Sequence, residues 1–250
     1  MKTDQLVDYL DTLLRIDDIP DDSLNGLQVA NRGEVRTLGL AVDACMETYR
    51  KAAERGVDFL LVHHGIFWGK PVPIRGIHYE RMRFLIESNI ALYAAHLPLD
   101  LHPEFGNNAQ IAERLEWPVS GDFGEYHGSI LGKEVLFQKP VTLEILVDSI
   151  RDRLGCKPQV WDCGPSEIRR LAFVSGGGLG MLEEAIDKGM DAYFTGEPKH
   201  SAFWLARESG INVILGGHYA TETLGVKALG EKVVQEFGLN TLFLDSPTGL

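Results

Sequence analysis

The chain has 250 residues, 44% of them apolar and 24% charged, an ordinary globular composition with ample length for a hydrophobic core. A net charge of −12, from 24 basic and 36 acidic residues, argues against a nonspecific grip on nucleic acid, although a local basic patch is compatible with it. No apolar run approaches the roughly 20 residues of a membrane span. The N-terminus opens directly into an amphipathic pattern, and three cysteines without CxxC spacing indicate neither a disulfide framework nor a thiolate zinc site. The expected address is cytoplasmic.

In chain order, Thr3 to Arg15 reads as a helix, with Leu6, Leu10, Leu13 and Leu14 on one face and Thr3 as its N-cap. An acidic link, Asp17 to Asp22, leads to the turn signal Asn25-Gly26. Leu38 to Val42 is a strand, Met46 to Arg55 a helix, and Asp58 to Val62 a short apolar strand that ends abruptly in His63-His64-Gly65. A Pro/Gly-rich loop (71–76) precedes a helix over Tyr79 to Ser88. The strand Ile90 to Ala95 follows and ends in His96-Leu97-Pro98-Leu99-Asp100, with a helix from about Asn108 to Leu115 after it.

Between Trp117 and Lys139 the glycines and alternating polarity predict hairpin strands. Thr142 to Leu154 is an amphipathic helix. Then strands (Leu171 to Val174, Asp191 to Thr195, Ile211 to Leu215, Thr241 to Leu244) alternate with helices (Met181 to Lys188, His200 to Glu208, Thr223 to Phe237). Such alternation implies an α/β architecture with mostly parallel or mixed sheets.

The chain repeats itself. Leu38 to Asp58 aligns without a gap on Leu171 to Asp191: Leu38 and Leu171, Gly56 and Gly189, Asp58 and Asp191 are each 133 residues apart. Further on, Ser88 to His96 matches Ser209 to His218, and each of those histidines has a carboxylate four residues later, Asp100 and Glu222. The economical reading is two similar α/β lobes, about 1–120 and 121–250, with a cleft between them that 205–250 closes.

His63 and His64, His96 and Asp100, and His218 and Glu222 thus follow strand ends, where open α/β sheets place their sites. Imidazoles and carboxylates without thiolates suit zinc, iron(II) or manganese. So many ligands exceed what one zinc takes from protein, and a bridging carboxylate is the usual way to hold two ions about 3.5–4 Å apart. His218 and Glu222, four apart at the opening of a helix, share one face. Taken singly, Asp100 reads equally as a cap, Glu222 as a solvated residue and His96 as a core histidine. Recurrence in both halves favours the joint metal reading.

Asn25-Gly26-Leu27-Gln28-Val29, Val62-His63-His64-Gly65-Ile66-Phe67-Trp68, His96-Leu97-Pro98-Leu99-Asp100, Gly106-Asn107-Asn108, Ser175-Gly176-Gly177-Gly178, Thr195-Gly196-Glu197 and Gly217-His218 with Glu222 together resemble the NIF-three-like proteins. That family is also called the GTP cyclohydrolase I type 2 homologues, a domain-of-unknown-function family. The likeness runs nearly end to end in the short form. It implies two α/β lobes, a dinuclear metal site in the cleft and a ring-shaped homohexamer. The matching ligands of the two divalent ions would be His63, His64, Asp100, His218 and Glu222, with Glu222 bridging and catalytic. His96 is not carried over as a ligand and is placed either behind the ligands, holding one of them, or in proton transfer, as a catalytic residue.

Three motifs stand apart. Glu197 aligns with His64 under the 133-residue offset and reads either as an acceptor for a ligand imidazole or as a helix-start charge. Ser175 to Gly178 reads as a tight turn sooner than a phosphate cradle. Phe67-Trp68 reads as packing, with base stacking the alternative. The functional expectation is a metal-dependent hydrolase of a nucleotide-like or phosphate-containing small molecule. Its rivals are a ring-forming nucleic-acid-associated scaffold and a metal-handling protein without turnover.

Overall fold

The computed structural model describes residues 1–126 and 128–250. In chain order the elements are α1 (Thr3–Leu14), β1 (Gly26–Val29), β2 (Thr37–Asp43), α2 (Met46–Glu54), β3 (Phe59–His64), α3 (Ile77–Glu87), β4 (Ala91–Ala94), α4 (Leu97–Asp100) and α5 (Asn107–Leu115). There follow β5 (Val119–Tyr126), β6 (Ser129–Thr142), α6 (Leu143–Leu154), β7 (Gln159–Trp161), β8 (Glu167–Phe173), α7 (Leu182–Asp187), β9 (Ala192–Thr195), α8 (His200–Ser209), β10 (Asn212–Leu215), α9 (His218–Phe237) and β11 (Asn240–Phe243). Short single-turn 3-10 segments follow α1 and precede α7. Among the described residues no helix is long and apolar enough to cross a membrane.

The chain divides into two compact units, one of residues 1–105 and 225–246, the other of 106–224 and 247–250. The sequence draws a single line near residue 120. In the structure the chain re-enters the first unit late, because Val226, Leu229 and Val233 of α9 are buried with Leu38, Phe59 and Tyr93, and β11 pairs in parallel with β2.

In the first unit the sheet order is β1-β4-β3-β2-β11. Successive residues of β3 point to opposite faces. Phe59 and Leu61 pack with Leu6, Leu10 and Leu14 of α1. Leu60 and Val62 pack with Tyr49 and Ala52 of α2 and Leu85 of α3. Helices therefore cover both faces, which is why the strand reads as an unbroken apolar run. Thr3 is the first helical residue and not the cap: Lys2 holds the N-cap position, and the Thr3 hydroxyl donates to Asn31 Oδ1 at 2.6 Å.

In the second unit the order is β5-β6-β8-β9-β10-β7. Ile111 and Leu115 of α5 and Leu146 and Ile150 of α6 pack on Leu171, Phe173, Phe194 and Ile214. The expected hairpin is β5 and β6, paired antiparallel.

Four strands of one sheet repeat four of the other. β1-β4-β3-β2 matches β7-β10-β9-β8, each with three parallel strands and one antiparallel edge strand. The register is the same to the residue: Leu38 faces Phe59 as Leu171 faces Ala192, and Leu27 faces Tyr93 as Val160 faces Ile214. A side-chain clamp repeats as well. Asp58 Oδ2 accepts the amides of Arg36 and Thr37 at 2.9 and 3.0 Å, and Asp191 Oδ2 accepts those of Arg169 and Arg170, both at 2.8 Å.

Candidate metal centre

In the first unit the polar cluster forms at the carboxyl ends of β2, β3 and β4. His63 is fully buried near the end of β3, and its Nδ1–H donates to the Ala95 carbonyl at 2.8 Å. A carbonyl only accepts, so this contact puts the proton on Nδ1 and the lone pair on Nε2. His64 Nδ1 donates to Asp43 Oδ1 at 2.9 Å, on the neighbouring strand level with it. His96 caps α4, and its Nδ1 donates to Asp21 at 3.0 and 3.1 Å. One ligand nitrogen from each of His63, His64 and His96 lies within 4.8 Å of the others. Asp100, at the end of α4 and 9% exposed, sets Oδ2 3.5 Å from His63 Nε2.

Asp21 organises the outer rim of this cluster. Besides His96 it accepts the Leu97 amide at 2.9 Å and the Asn25 amide nitrogen at 2.8 Å. Asn25 Oδ1 in turn accepts the His96 backbone N–H at 2.7 Å. Burial would raise the Asp21 carboxyl, but hydrogen bonds and charge from His96, with Asn25 and the Ser23 amide, hold it down to about 2. Gln28 Oε1 accepts the Ile66 amide at 2.7 Å just past the two histidines.

In the second unit the cluster sits at the end of β9 and the start of α9. His218 Nδ1 donates to Glu197 Oε2 at 2.8 Å, and its Nε2 lies 3.0 Å from Glu222 Oε2 one helical turn on. Burial lowers the His218 pKa, but Glu222 and then Glu197 outweigh it and raise it to about 9. Two carboxylates gripping one imidazole retain a cation between them. A metal ion on Nε2 would replace that proton, so binding releases it. Glu222 is buried, and Gly176 is what admits it: a Cβ there would stand 2.0 Å from Glu222 Oε1 and 3.2 Å from His218 Nε2, at a φ of +61°.

The donor chemistry fits a divalent ion. Four imidazoles are each oriented through Nδ1 by an acceptor, which is how proteins hold metal-ligating histidines. Asp21, Asp43 and the Ala95 carbonyl carry no role in the sequence reading. Asp43 was findable as the residue level with His64 on the adjacent strand. Asp21 was not, because 75 residues separate it from His96 without any periodic signal. Glu197 resolves to the imidazole acceptor. Phe67 packs against the core beside α2 and α3, whereas Trp68 is 39% exposed.

These features define an α/β protein with histidine–carboxylate clusters at its strand ends that offer ligand atoms for a metal. The chain belongs to the Duf34/NIF3 (NGG1p interacting factor 3) family, whose model matches residues 1–248. A Deinococcus radiodurans protein named "GTP cyclohydrolase 1 type 2 homolog" is 44% identical over 247 residues, covering 99% of this chain and 94% of its own. A relative of the same name from Pyrococcus horikoshii is 43% identical over 251 residues, with full coverage of both. Among solved structures, the protein TTHA1606 from Thermus thermophilus superposes with a TM-score of 0.90 at 46% identity, covering 100% of both chains.

Proposed function

We propose that this chain is a dinuclear metal protein that hydrolyses a nucleotide-like or phosphate-containing small molecule. The observation that carries the reading is the shared orientation of the imidazoles: Asp43, the Ala95 carbonyl and Glu197 each take a proton from Nδ1, which presents Nε2 of His64, His63 and His218 as a ligand. His63, His64, Asp100, His218 and Glu222 would hold two divalent ions, zinc, iron or manganese, with Glu222 shared. Two such ions supply Lewis acidity toward a carbonyl or phosphoryl oxygen and acidify water at neutral pH. The chain's own part is to fix the ligand rings, to place Glu222 beside them, and to pass a proton through His96, whose ring Asp21 holds. A ring-shaped homohexamer in the cytoplasm, acting on a small molecule and away from membranes, completes the proposal; the net charge of −12 disfavours a nucleic-acid partner.

The test is metal analysis of protein purified without chelator, followed by a hydrolase-substrate screen with His64→Ala as control. About two ions per chain and turnover absent from His64→Ala are expected. A firm value of one or none removes the dinuclear model, and two ions with no turnover on any phosphate ester or nucleotide leaves the metal-handling reading in its place. Glu222→Gln keeps the shape and removes the charge, so anomalous scattering from its crystals should find one ion lost. Two full, undisplaced ions would show that Glu222 does not bridge. His96→Ala should keep its metal and lose turnover; loss of metal as complete as in His64→Ala would make His96 a ligand.

A further inference from the structure

Beside the imidazoles of the first unit stands an aromatic ring that the core does not use. Trp68 is 39% exposed, yet it is tied down from both sides. Its indole N–H donates to the Gly65 carbonyl at 3.0 Å. Its backbone forms an antiparallel bridge to buried Ser23, flanked by Leu24 N–H to Phe67 O at 3.0 Å and Gly69 N–H to Asp22 O at 2.5 Å. The ring centroid lies 4.9 Å from that of His96 at 74° and 5.9 Å from that of His64 at 52°. The indole and the two imidazoles therefore make an angled corner next to the ligand nitrogens.

We infer that Trp68 is the stacking platform for a planar heteroaromatic ring of the substrate, a base-like ring lying on the exposed indole with its edge toward His96 and His64. A rigid aromatic face loses little conformational entropy when a flat ring settles on it. Neighbouring Phe67 is drawn against the core, whereas the Trp68 ring is held out of it in contact with the His96 and His64 rings. The corner also explains why the ring is fixed through its N–H: stacked and perpendicular partners must keep their mutual angle for a ligand edge to point at the imidazoles. The inference rests on the metal-centre reading for where the reactive end of the ligand goes, and on Trp68 alone for how its ring is held.

Binding of guanosine monophosphate and of ribose 5-phosphate, which share a phosphate and differ in the base, separates the two. Each is titrated by calorimetry and by tryptophan fluorescence, in protein as purified and after chelator treatment, with Trp68→Ala, Trp68→Phe and Trp68→Leu alongside. The wild type should bind the nucleotide more tightly than the sugar phosphate and quench on binding. Trp68→Ala and Trp68→Leu should weaken the nucleotide roughly 10–100-fold without changing ribose 5-phosphate. Trp68→Phe should stay close to wild type. Trp68→Leu, which keeps apolar bulk, decides the matter should Trp68→Ala not fold. Equal binding of the two probes by wild type, no nucleotide binding at millimolar concentration, or an unchanged nucleotide affinity in Trp68→Leu would each overturn the stacking role. The contrast in chelator-treated protein is read without metal, so it stands or falls separately from the dinuclear centre.

Discussion

The two units share four strands in one order and one register, and differ at the carboxyl ends of those strands. Asp58 and Asp191 clamp equivalent backbone amides, and both sheets end in a histidine with a carboxylate four residues on. Yet where the first unit carries His63, His64 and Asp43, the second, 133 residues later, carries Gly196, Glu197 and Gly176. Strand pairing is fixed by buried side chains that must fill both faces, and it tolerates little change. At the carboxyl ends the first sheet carries its ladder on to the Asp43–His64 pair whereas β9 stops at Thr195, and there side chains line the candidate site and can diverge in chemistry. In the second unit the space of an Asp43-like side chain is taken by Glu222, so one fold gathers three imidazoles, His63, His64 and His96, where its repeat has one, His218, between two glutamates.

The sharpest way to break the comparison is to give the second unit a side chain where the first has His63. A Cβ at Gly196 would stand 2.6 Å from the Gly176 carbonyl and 2.8 Å from His218 Cα, both backbone atoms that cannot swing aside. Gly196→Ala should cost about 3 kcal/mol, read as a lowered urea midpoint at unchanged slope. An unaltered midpoint would show that the turn gives way freely.

Next in size is the loss of a ligand. His64→Ala should lose most of its bound metal while its circular dichroism stays that of wild type, since His64 is the last residue of β3 and only half-buried, so the sheet does not rest on it. A variant that unfolds would instead make His64 structural.

Smaller again are the acceptors behind the rings. Asp43→Ala and Glu197→Ala, one in each unit, should each weaken metal binding roughly 10–100-fold by releasing the imidazole from its tautomer and angle. Glu197→Gln, which still offers an oxygen, should recover part of the loss. Equal affinity in all three variants and wild type would remove the orienting role.

The smallest effect belongs to the repeated clamp. Asp58→Asn and Asp191→Asn each keep one acceptor oxygen and lose the charge, and should each cost about 1 kcal/mol in denaturant unfolding. A large difference between them would show that the two clamps are alike in geometry and unlike in energy.

Much of this was legible beforehand. The strands ending in His63-His64, His96 and His218 stand out because apolar runs broken by paired polar residues are visible without any tertiary information. The 133-residue offset survived into the register of the sheets because the same buried positions recur. β1 and β7 escaped: four and three residues long, each is too short to show a period and is strand only because an edge of the sheet accepts it. The apolar stripe alone starts the last helix at Thr223, but α9 begins at His218, as the four-residue spacing of His218 and Glu222 has it, because polar ligand residues occupy a first turn that carries no apolar stripe. Asp21 escaped for a different reason, since its partners are assembled only by the fold.

The late return of residues 225–246 to the first unit has a consequence for how the chain is made. A polypeptide emerging N-terminus first presents β2 long before β11, the strand that flanks it, exists. It also presents Leu38, Phe59 and Tyr93 before Val226, Leu229 and Val233 can cover them. The second unit, nearly continuous from Gly106 to Leu224, can close as soon as it has left the ribosome. The half that begins first should therefore finish last, with an open sheet edge and an uncovered apolar face for the duration of synthesis, the conditions under which nascent chains depend on chaperones.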